Sequence, residues 1–199
     1  MTEAFRLNLR LATADDIPKV AAIIEEVSEG IVGTLFEGVM PMMTARDILE
    51  LVIGKNQPPY SADNMVIADV NGEIGGLLFA YPATHQKVSP LMETFLSKNR
   101  IDEVRALLTA GEPRDFWVNT LWISPALRGE GLANVLVNCA KKMALDRGAA
   151  SLALHCWLDN RRALAFYEKC GFSQVGTIAY GDRLSARHPE GGALLRLSL

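Results

Sequence analysis

Hydrophobic and polar residues follow two different periods along the first part of the chain. From Phe5 to Leu11 every second residue is apolar, which predicts a half-buried strand. Apolar residues then recur every three or four positions between Ile17 and Glu29, which predicts a helix. The segment from Gly30 to Met43 is apolar but rich in glycine, so we expect a loop or a broken helix. Thr44 is a suitable cap for a second helix.

A hairpin is predicted next. The pair Asn71-Gly72 is a strong two-residue turn signal between strand-like runs over Met65–Val70 and Glu73–Tyr81. The pair Gly75-Gly76, inside the second run, indicates a bulge or the close approach of another backbone.

Strands and helices alternate in the second half of the chain. Residues 87–112 carry leucines among charges and predict one or two helices. Beyond them we expect strands over Phe116–Ile123, Ala150–Trp157, Phe172–Tyr180 and Ala193–Leu199, and helices over Ala133–Arg147 and Arg161–Lys169. This alternation predicts an α/β fold with a central mixed sheet and helices on both faces. We expect residues 1–199 to form a single domain.

Composition and charge exclude several classes of protein. The 199 residues are 49% hydrophobic and 22% charged with a net charge of -3, which is ordinary for a globular domain. The lack of a basic excess argues against binding of nucleic acid. No apolar run reaches the roughly 18 residues of a membrane helix. The charged residues Glu3, Arg6 and Arg10 argue against a secretory signal at the start of this sequence.

Cysteine usage indicates a reducing compartment. Cys139, Cys156 and Cys170 are an odd number of cysteines and lack C-x-x-C spacing. We therefore expect a cytoplasmic protein with neither disulfides nor a metal site. Cys156 follows His155, but neighbouring residues of a strand point to opposite faces, so this pair does not favour a thiol nucleophile.

The loop Arg128-Gly129-Glu130-Gly131-Leu132-Ala133 joins a predicted strand to a predicted helix. The start of a helix offers free N–H groups and the positive end of its dipole, and this suits a phosphate group. A tight turn that needs glycine for its backbone explains the loop equally well. There is no Walker A motif, and the third glycine of a dinucleotide-binding fingerprint is missing, which leaves a dinucleotide-dependent oxidoreductase as a weak alternative.

A second block downstream gives this loop a specific interpretation. The two blocks together resemble the GNAT family of N-acetyltransferases. The acetyl-CoA loop of that family follows (R/Q)-x-x-G-x-(G/A), which is matched by Arg128, Gly131 and Ala133. The next helix of the family follows N-x-x-A-x-x-(F/L)-Y-x-x-x-G-F, which is matched by Asn160, Ala163, Phe166, Tyr167, Gly171 and Phe172.

The resemblance implies a fold and a co-substrate site. It implies a mostly antiparallel sheet of about seven strands in which the parallel pair Phe116–Ile123 and Ala150–Trp157 splays apart. The pantetheine of acetyl-CoA is then expected in that gap, and the pyrophosphate on the amides of Gly129 to Ala133. The full set of expected acetyl-CoA contacts is Leu121, Trp122, Ile123, Arg128, Gly129, Glu130, Gly131, Leu132, Ala133, Asn160, Ala163, Phe166 and Tyr167.

The resemblance also implies direct attack of an amine on the thioester, with Tyr167 as the acid that protonates the leaving thiolate. Without the family pattern, Tyr167 is better explained as a core aromatic at helical spacing beside Phe166. The strand before the loop lacks the carboxylate base of many relatives and offers only Asn119. We therefore expect His155 to be the base, although a histidine satisfied in the core fits the sequence as well. Glu112 and Asp115 are weaker candidates.

The acceptor is left open as a small-molecule or peptide amine. Acidic residues near the first two helices suit an ammonium group, or simply form a solvated face; they are Glu25, Glu26, Glu29, Glu37 and Asp47. The insert at 87–112 fits a lid, a pocket wall or a homodimer contact. A noncatalytic CoA-binding or sensory module of the same fold is the main alternative function.

Overall fold

The computed structural model describes residues 6–199, which build one seven-stranded sheet flanked by helices. The strands are β1 (Leu7–Leu11), β2 (Met65–Val70), β3 (Glu73–Pro82), β4 (Asp115–Ile123), β5 (Ser151–Trp157), β6 (Ser173–Ile178) and β7 (Gly192–Ser198). The helices are α1 (Ile17–Val27), α2 (Ile31–Phe36), α3 (Ala45–Gly54), α4 (Pro90–Phe95), α5 (Lys98–Leu108), α6 (Leu132–Asp146), α7 (Arg161–Lys169) and α8 (Asp182–Arg187). The predicted α/β class is confirmed.

The less regular segments also agree with the prediction. Phe5, the expected start of β1, lies outside the described residues. The glycine-rich segment after α1 contains the short helix α2, as a broken helix would, and the insert contains two helices, α4 and α5, where one or two were expected. Helix α8 was not predicted, because six residues are too few to show a helical period. None of the described helices has the length and apolar character needed to span a bilayer.

The strand order is β1-β2-β3-β4-β5-β7-β6, and β4 and β5 are its parallel neighbours. They pair only from Asp115 to Trp117, opposite Ser151 to Ala153. Beyond that point the two strands diverge. In addition, β4 carries a bulge at Asn119, because Phe79 and Ala80 of β3 are opposite Thr120 and Val118. The middle of the sheet therefore opens into a cleft.

A buried polar cluster fixes the point where β4 and β5 still pair. Asp115 accepts hydrogen bonds from Ser151 Oγ at 2.5 Å and from Arg196 Nη2 at 3.0 Å. It also accepts one from the backbone N–H of Glu112 at 2.9 Å. Both carboxylate oxygens of Asp115 are engaged in this cluster. Its contacts therefore favour a structural role that joins the strands, and argue against Asp115 as the general base, for which it was a weaker candidate in the sequence.

The two faces of the sheet carry separate cores. On one face α1 and α3 cover strand residues such as Leu77, Phe79 and Trp117. On the other face α6 covers Leu78 and Phe116. Successive residues of β3 are buried on opposite sides, as expected for a central strand with helices on both faces. The cleft between β4 and β5 consequently connects one helical layer with the other.

Candidate active site

The cleft between the diverging ends of β4 and β5 has a volume of about 720 Å³. It brings together nearly all of the residues predicted from the sequence. The predicted residues in its lining are Leu121, Trp122, Ile123, Arg128, Gly129, Gly131, Leu132, Ala133, His155, Asn160, Ala163, Phe166 and Tyr167. Glu130 is the exception, since it lies exposed at the tip of the loop and outside this lining.

The start of α6 offers free amides at one end of the cleft. Gly129 and Gly131 have φ angles of +97° and +81°, in the region that favours glycine, and a side chain at either position would point into open space. Among the described residues, the backbone N–H groups from Gly129 to Ala133 have no hydrogen-bond acceptor. They add to the positive end of the helix dipole, so this end of the cleft suits an anion.

The walls of the gap are strand edges. Between Val118 and Ile123, β4 is hydrogen-bonded to β3, but in the part of the chain that the structure describes it has no strand partner on its β5 side. The backbone groups on that side are therefore available to an extended ligand lying between the strands. The indole N–H of Trp122 is buried in the lining and has no acceptor among residues 6–199, which adds an unpaired side-chain donor to the gap.

Tyr167 lies on α7 and lines the cleft beside β5. Its ring packs against Phe166 at 5.3 Å and, edge to face, against Phe172 at 5.4 Å between ring centroids. Burial, together with the nearby thiols Cys156 and Cys170, raises the pKa of Tyr167 above its usual value. The phenol therefore keeps its proton at physiological pH, as a proton donor must.

Asn160 caps the N-terminal end of α7. Its Oδ1 accepts a hydrogen bond from the backbone N–H of Ala163 at 3.1 Å, which is the expected cap. Asn160 follows directly on the turn after β5. The cap thus connects the splayed strand with the helix that carries Tyr167.

His155 is packed among aromatic rings on the face of β5 that is opposite to Tyr167. Its ring meets Trp157 edge to face at 4.6 Å, and Tyr180 lies 5.6 Å away. The Nε2 atom is buried close to Gly192 and has no hydrogen-bond partner among the described residues. Burial, with a smaller contribution from His188, lowers the pKa of His155 to about 3. Such an imidazole is a poor acceptor of a proton from an ammonium group, so its surroundings argue against the base role predicted from sequence.

The buried imidazole predicts a pH dependence of stability. An unfolded histidine has a pKa of about 6.5, so the unfolded state takes up the proton first as the pH falls. The contribution of His155 is complete above pH 6.5 and decreases below it, by about 1.4 kcal/mol per pH unit, until the folded pKa of about 3. Urea unfolding at pH 7 and pH 5 should show a smaller loss for His155→Gln than for the wild type. Equal losses in the two proteins would contradict this assignment.

The three cysteine thiols are poorly suited to act as nucleophiles. Burial and the negative charges of Glu29 and Asp159 raise the pKa of Cys156 to about 12. Burial also raises the pKa of Cys139 and of Cys170. All three remain protonated at physiological pH, in agreement with the structural role expected from the sequence.

The insert helps to build the other end of the cleft. Leu107 and Leu108, at the end of α5, line it together with Gln86. Gln86 donates to the Leu107 carbonyl at 2.8 Å and accepts from the Tyr81 hydroxyl at 2.8 Å. Tyr81 in turn accepts a hydrogen bond of 3.3 Å from Asn119 at the bulge. Of the three roles that the sequence allows for the insert, this chain of contacts favours the pocket wall.

The acidic residues near the first helices separate into different roles. Glu25 pairs with Arg46 at 2.6 Å, and Asp47 forms a capping box with Thr44 at the start of α3. Glu37 lies outside the cleft lining, whereas Glu26 and Glu29 are part of it. The end of the cleft beside α1 and α2 therefore carries carboxylates, and the end beside α6 and α7 carries Arg128 and Arg162.

Some residues of the site gave little or no signal in the sequence. The exact position of the β4 bulge, at Asn119, depends on pairing with β3, and the contact of Gln86 with Leu107 spans 21 positions. Neither leaves a local pattern. The stack of His188 on Trp157, with ring centroids 3.8 Å apart, likewise joins distant segments.

Known proteins are similar to this chain in sequence and in fold. The family model described as "Acetyltransferase (GNAT) family" matches residues 50–172. Uncharacterized N-acetyltransferases of Mycobacterium tuberculosis and Mycobacterium bovis are 34% identical over 139 residues, which cover 70% of this chain and 86% of theirs.

Solved structures agree in fold. An N-acetyltransferase from Staphylococcus aureus superimposes with a TM-score of 0.70 at 17% identity, covering 96% of this chain and all of that one. Spermidine N-acetyltransferase from Vibrio cholerae, solved with CoA and spermine, gives a TM-score of 0.56 at 16% identity and covers 96% of this chain and 95% of its own. On the family match and the mycobacterial relatives, this chain belongs to the GNAT family of acetyltransferases.

Proposed function

We propose that this protein transfers the acetyl group of acetyl-CoA directly to a primary amine. One observation carries the proposal: the free amides of α6, the unpaired edge of β4 and the Tyr167 side chain all border the same cleft. The amides of Gly129 to Ala133 suit the pyrophosphate, and the gap between β4 and β5 suits the extended pantetheine. The acetyl thioester then lies between Tyr167 and the carboxylate-bearing end of the cleft.

The reaction follows from this placement. The ammonium form of the acceptor loses one proton to water in the open cleft, and the neutral amine attacks the thioester carbonyl. A C–N bond forms while the carbonyl electrons move to oxygen, and a backbone N–H at the β4 bulge stabilises that oxyanion. Collapse of the tetrahedral adduct breaks the C–S bond. Tyr167 protonates the thiolate, and the second amine proton leaves to restore the phenol.

Two measurements separate this function from its alternatives. Acetyl-CoA should raise the melting temperature of the protein, whereas NAD and NADP should not, which distinguishes it from an oxidoreductase. With acetyl-CoA and a primary amine present, free thiol should be released at a rate that depends on the amine. Tight binding of acetyl-CoA without thiol release, across a broad panel of amines, would instead indicate a noncatalytic CoA-binding module.

A further inference from the structure

His188 is a buried histidine that joins two segments at the acceptor end of the cleft. Its Nδ1 lies 2.8 Å from Asp159 Oδ2, and its Nε2 lies 3.2 Å from the backbone carbonyl of Glu29. The ring stacks on Trp157 at 3.8 Å with an angle of 11° between planes. Both ring nitrogens therefore lie within hydrogen-bond distance of an oxygen atom. The mechanism proposed above uses none of these contacts.

The residue held by His188 has an unusual backbone. Glu29 follows α1 with a φ angle of +47°, in the left-handed region that non-glycine residues rarely adopt. Such a conformation persists where the surrounding contacts enforce it, and it is found frequently at functional sites. Here the hydrogen bond from His188 to the Glu29 carbonyl is one of those contacts.

This turn presents a carboxylate to the cleft. Glu29 is part of the lining, its side chain is 37% exposed, and its Oε2 lies 3.8 Å from His188 Nε2. Most of the neighbouring lining is apolar or aromatic, with Ile31, Phe36 and Tyr60 among its members. A carboxylate among apolar walls suits a cation with an apolar body better than it suits a neutral or anionic ligand.

Asp159 connects this arrangement to the reacting end of the cleft. It directly precedes Asn160, which caps the helix of Tyr167. Burial, with smaller contributions from the charges of Glu29 and Asp159, raises the pKa of Cys156 on β5, so both carboxylates lie near the splayed part of that strand. His188 thus holds the acceptor-side turn against the segment that begins α7.

We propose that Glu29 binds the ammonium group of the acceptor amine, and that His188, held by Asp159, positions Glu29 for this contact. The inference rests on the acetyl transfer proposed above. It describes the acceptor as a primary amine that is protonated in solution and carries an apolar body. In this role Glu29 contacts the substrate, whereas His188 and Asp159 act through Glu29.

The substrate contact is tested with Glu29→Gln, which keeps the shape of the side chain and removes its charge. Acceptors are 2-phenylethylamine, hexylamine and spermidine, with thiol release as the readout. The KM for the best of these amines should rise about tenfold, while kcat and the KM for acetyl-CoA stay within about twofold. Glu50→Gln removes the same charge from α3, outside the cleft, and should behave as the wild type.

Two different failures can be told apart. A wild-type enzyme that acetylates these amines while Glu29→Gln leaves their KM unchanged would overturn the role of Glu29 alone. A wild-type enzyme that releases no thiol with any of the three would overturn the proposed transfer and this inference together.

The positioning role is tested with a double-mutant cycle. Asp159→Asn and His188→Phe should each raise the KM for the amine. Combined with Glu29→Gln, neither should raise it further, because the contact they support is already lost. Asp159 is partly exposed, so its variant is expected to fold even where His188→Phe does not. Additive effects on KM, or unchanged KM values in folded single variants, would reduce His188 to a structural residue.

Discussion

Replacing Tyr167 with phenylalanine is expected to lower kcat about 100-fold while the affinity for acetyl-CoA changes less than about twofold. The phenylalanine ring keeps the packing against Phe166 and Phe172. Only the hydroxyl is lost, and with it the proton that the departing thiolate receives. Because burial raises the pKa of Tyr167, this proton is retained at physiological pH until the thiolate forms.

The measurement combines steady-state thiol release with calorimetric titration of acetyl-CoA. Tyr180→Phe serves as the matched control, since it removes the hydroxyl of another buried tyrosine that lies outside the cleft lining. A Tyr167→Phe enzyme with unchanged kcat would remove Tyr167 from the chemistry. A variant that binds acetyl-CoA much more weakly would show that the tyrosine serves binding.

Placing a carboxylate at position 133 is expected to weaken acetyl-CoA binding about 100-fold without destabilising the fold. Ala133 lies in the first turn of α6, where an acidic side chain interacts favourably with the helix dipole. The same charge repels the pyrophosphate and competes for the amides from Gly129 to Ala133. Ala133→Asp should therefore lower the affinity for acetyl-CoA while the thermal stability of the protein stays unchanged.

Calorimetric titration and thermal unfolding of the same samples measure the two effects. Asn138→Asp adds the same charge to an exposed position further along α6 and should leave the affinity for acetyl-CoA unchanged. Equal affinity of Ala133→Asp and the wild type would place the pyrophosphate elsewhere. Equal weakening by both variants would indicate a long-range charge effect in place of local contact.

Local chemistry explains why much of the fold could be predicted from the sequence. Thr44 accepts a hydrogen bond from the Asp47 amide, and Asn160 caps α7, as their residue types indicate. Asn71 and Gly72 both have positive φ angles, as the predicted hairpin turn requires. Gly75 supplies the predicted bulge opposite β2. In each case the signal and the structure lie within a few residues of each other.

Properties that depend on distant segments escaped the sequence. The alternation along β5 places His155 on one face of the sheet, but the burial of its ring comes from Tyr180 and Gly192, which follow in the last part of the chain. The proposed contact of Glu29 with the acceptor amine depends on His188, which is 159 positions away. Ionisation and positioning in this site are therefore set by tertiary packing that no local pattern reports.

Direct transfer of an acetyl group from acetyl-CoA to an amine yields two defined products, which mass spectrometry detects together. The wild-type protein is incubated with acetyl-CoA, carrying a ¹³C-labelled acetyl group, and 2-phenylethylamine, hexylamine or spermidine. We expect labelled N-acetylamine and free CoA in equal amounts, with far less of both from Tyr167→Phe. Bound acetyl-CoA that remains intact in the presence of all three amines, or free CoA without any acetylated amine, would contradict this account.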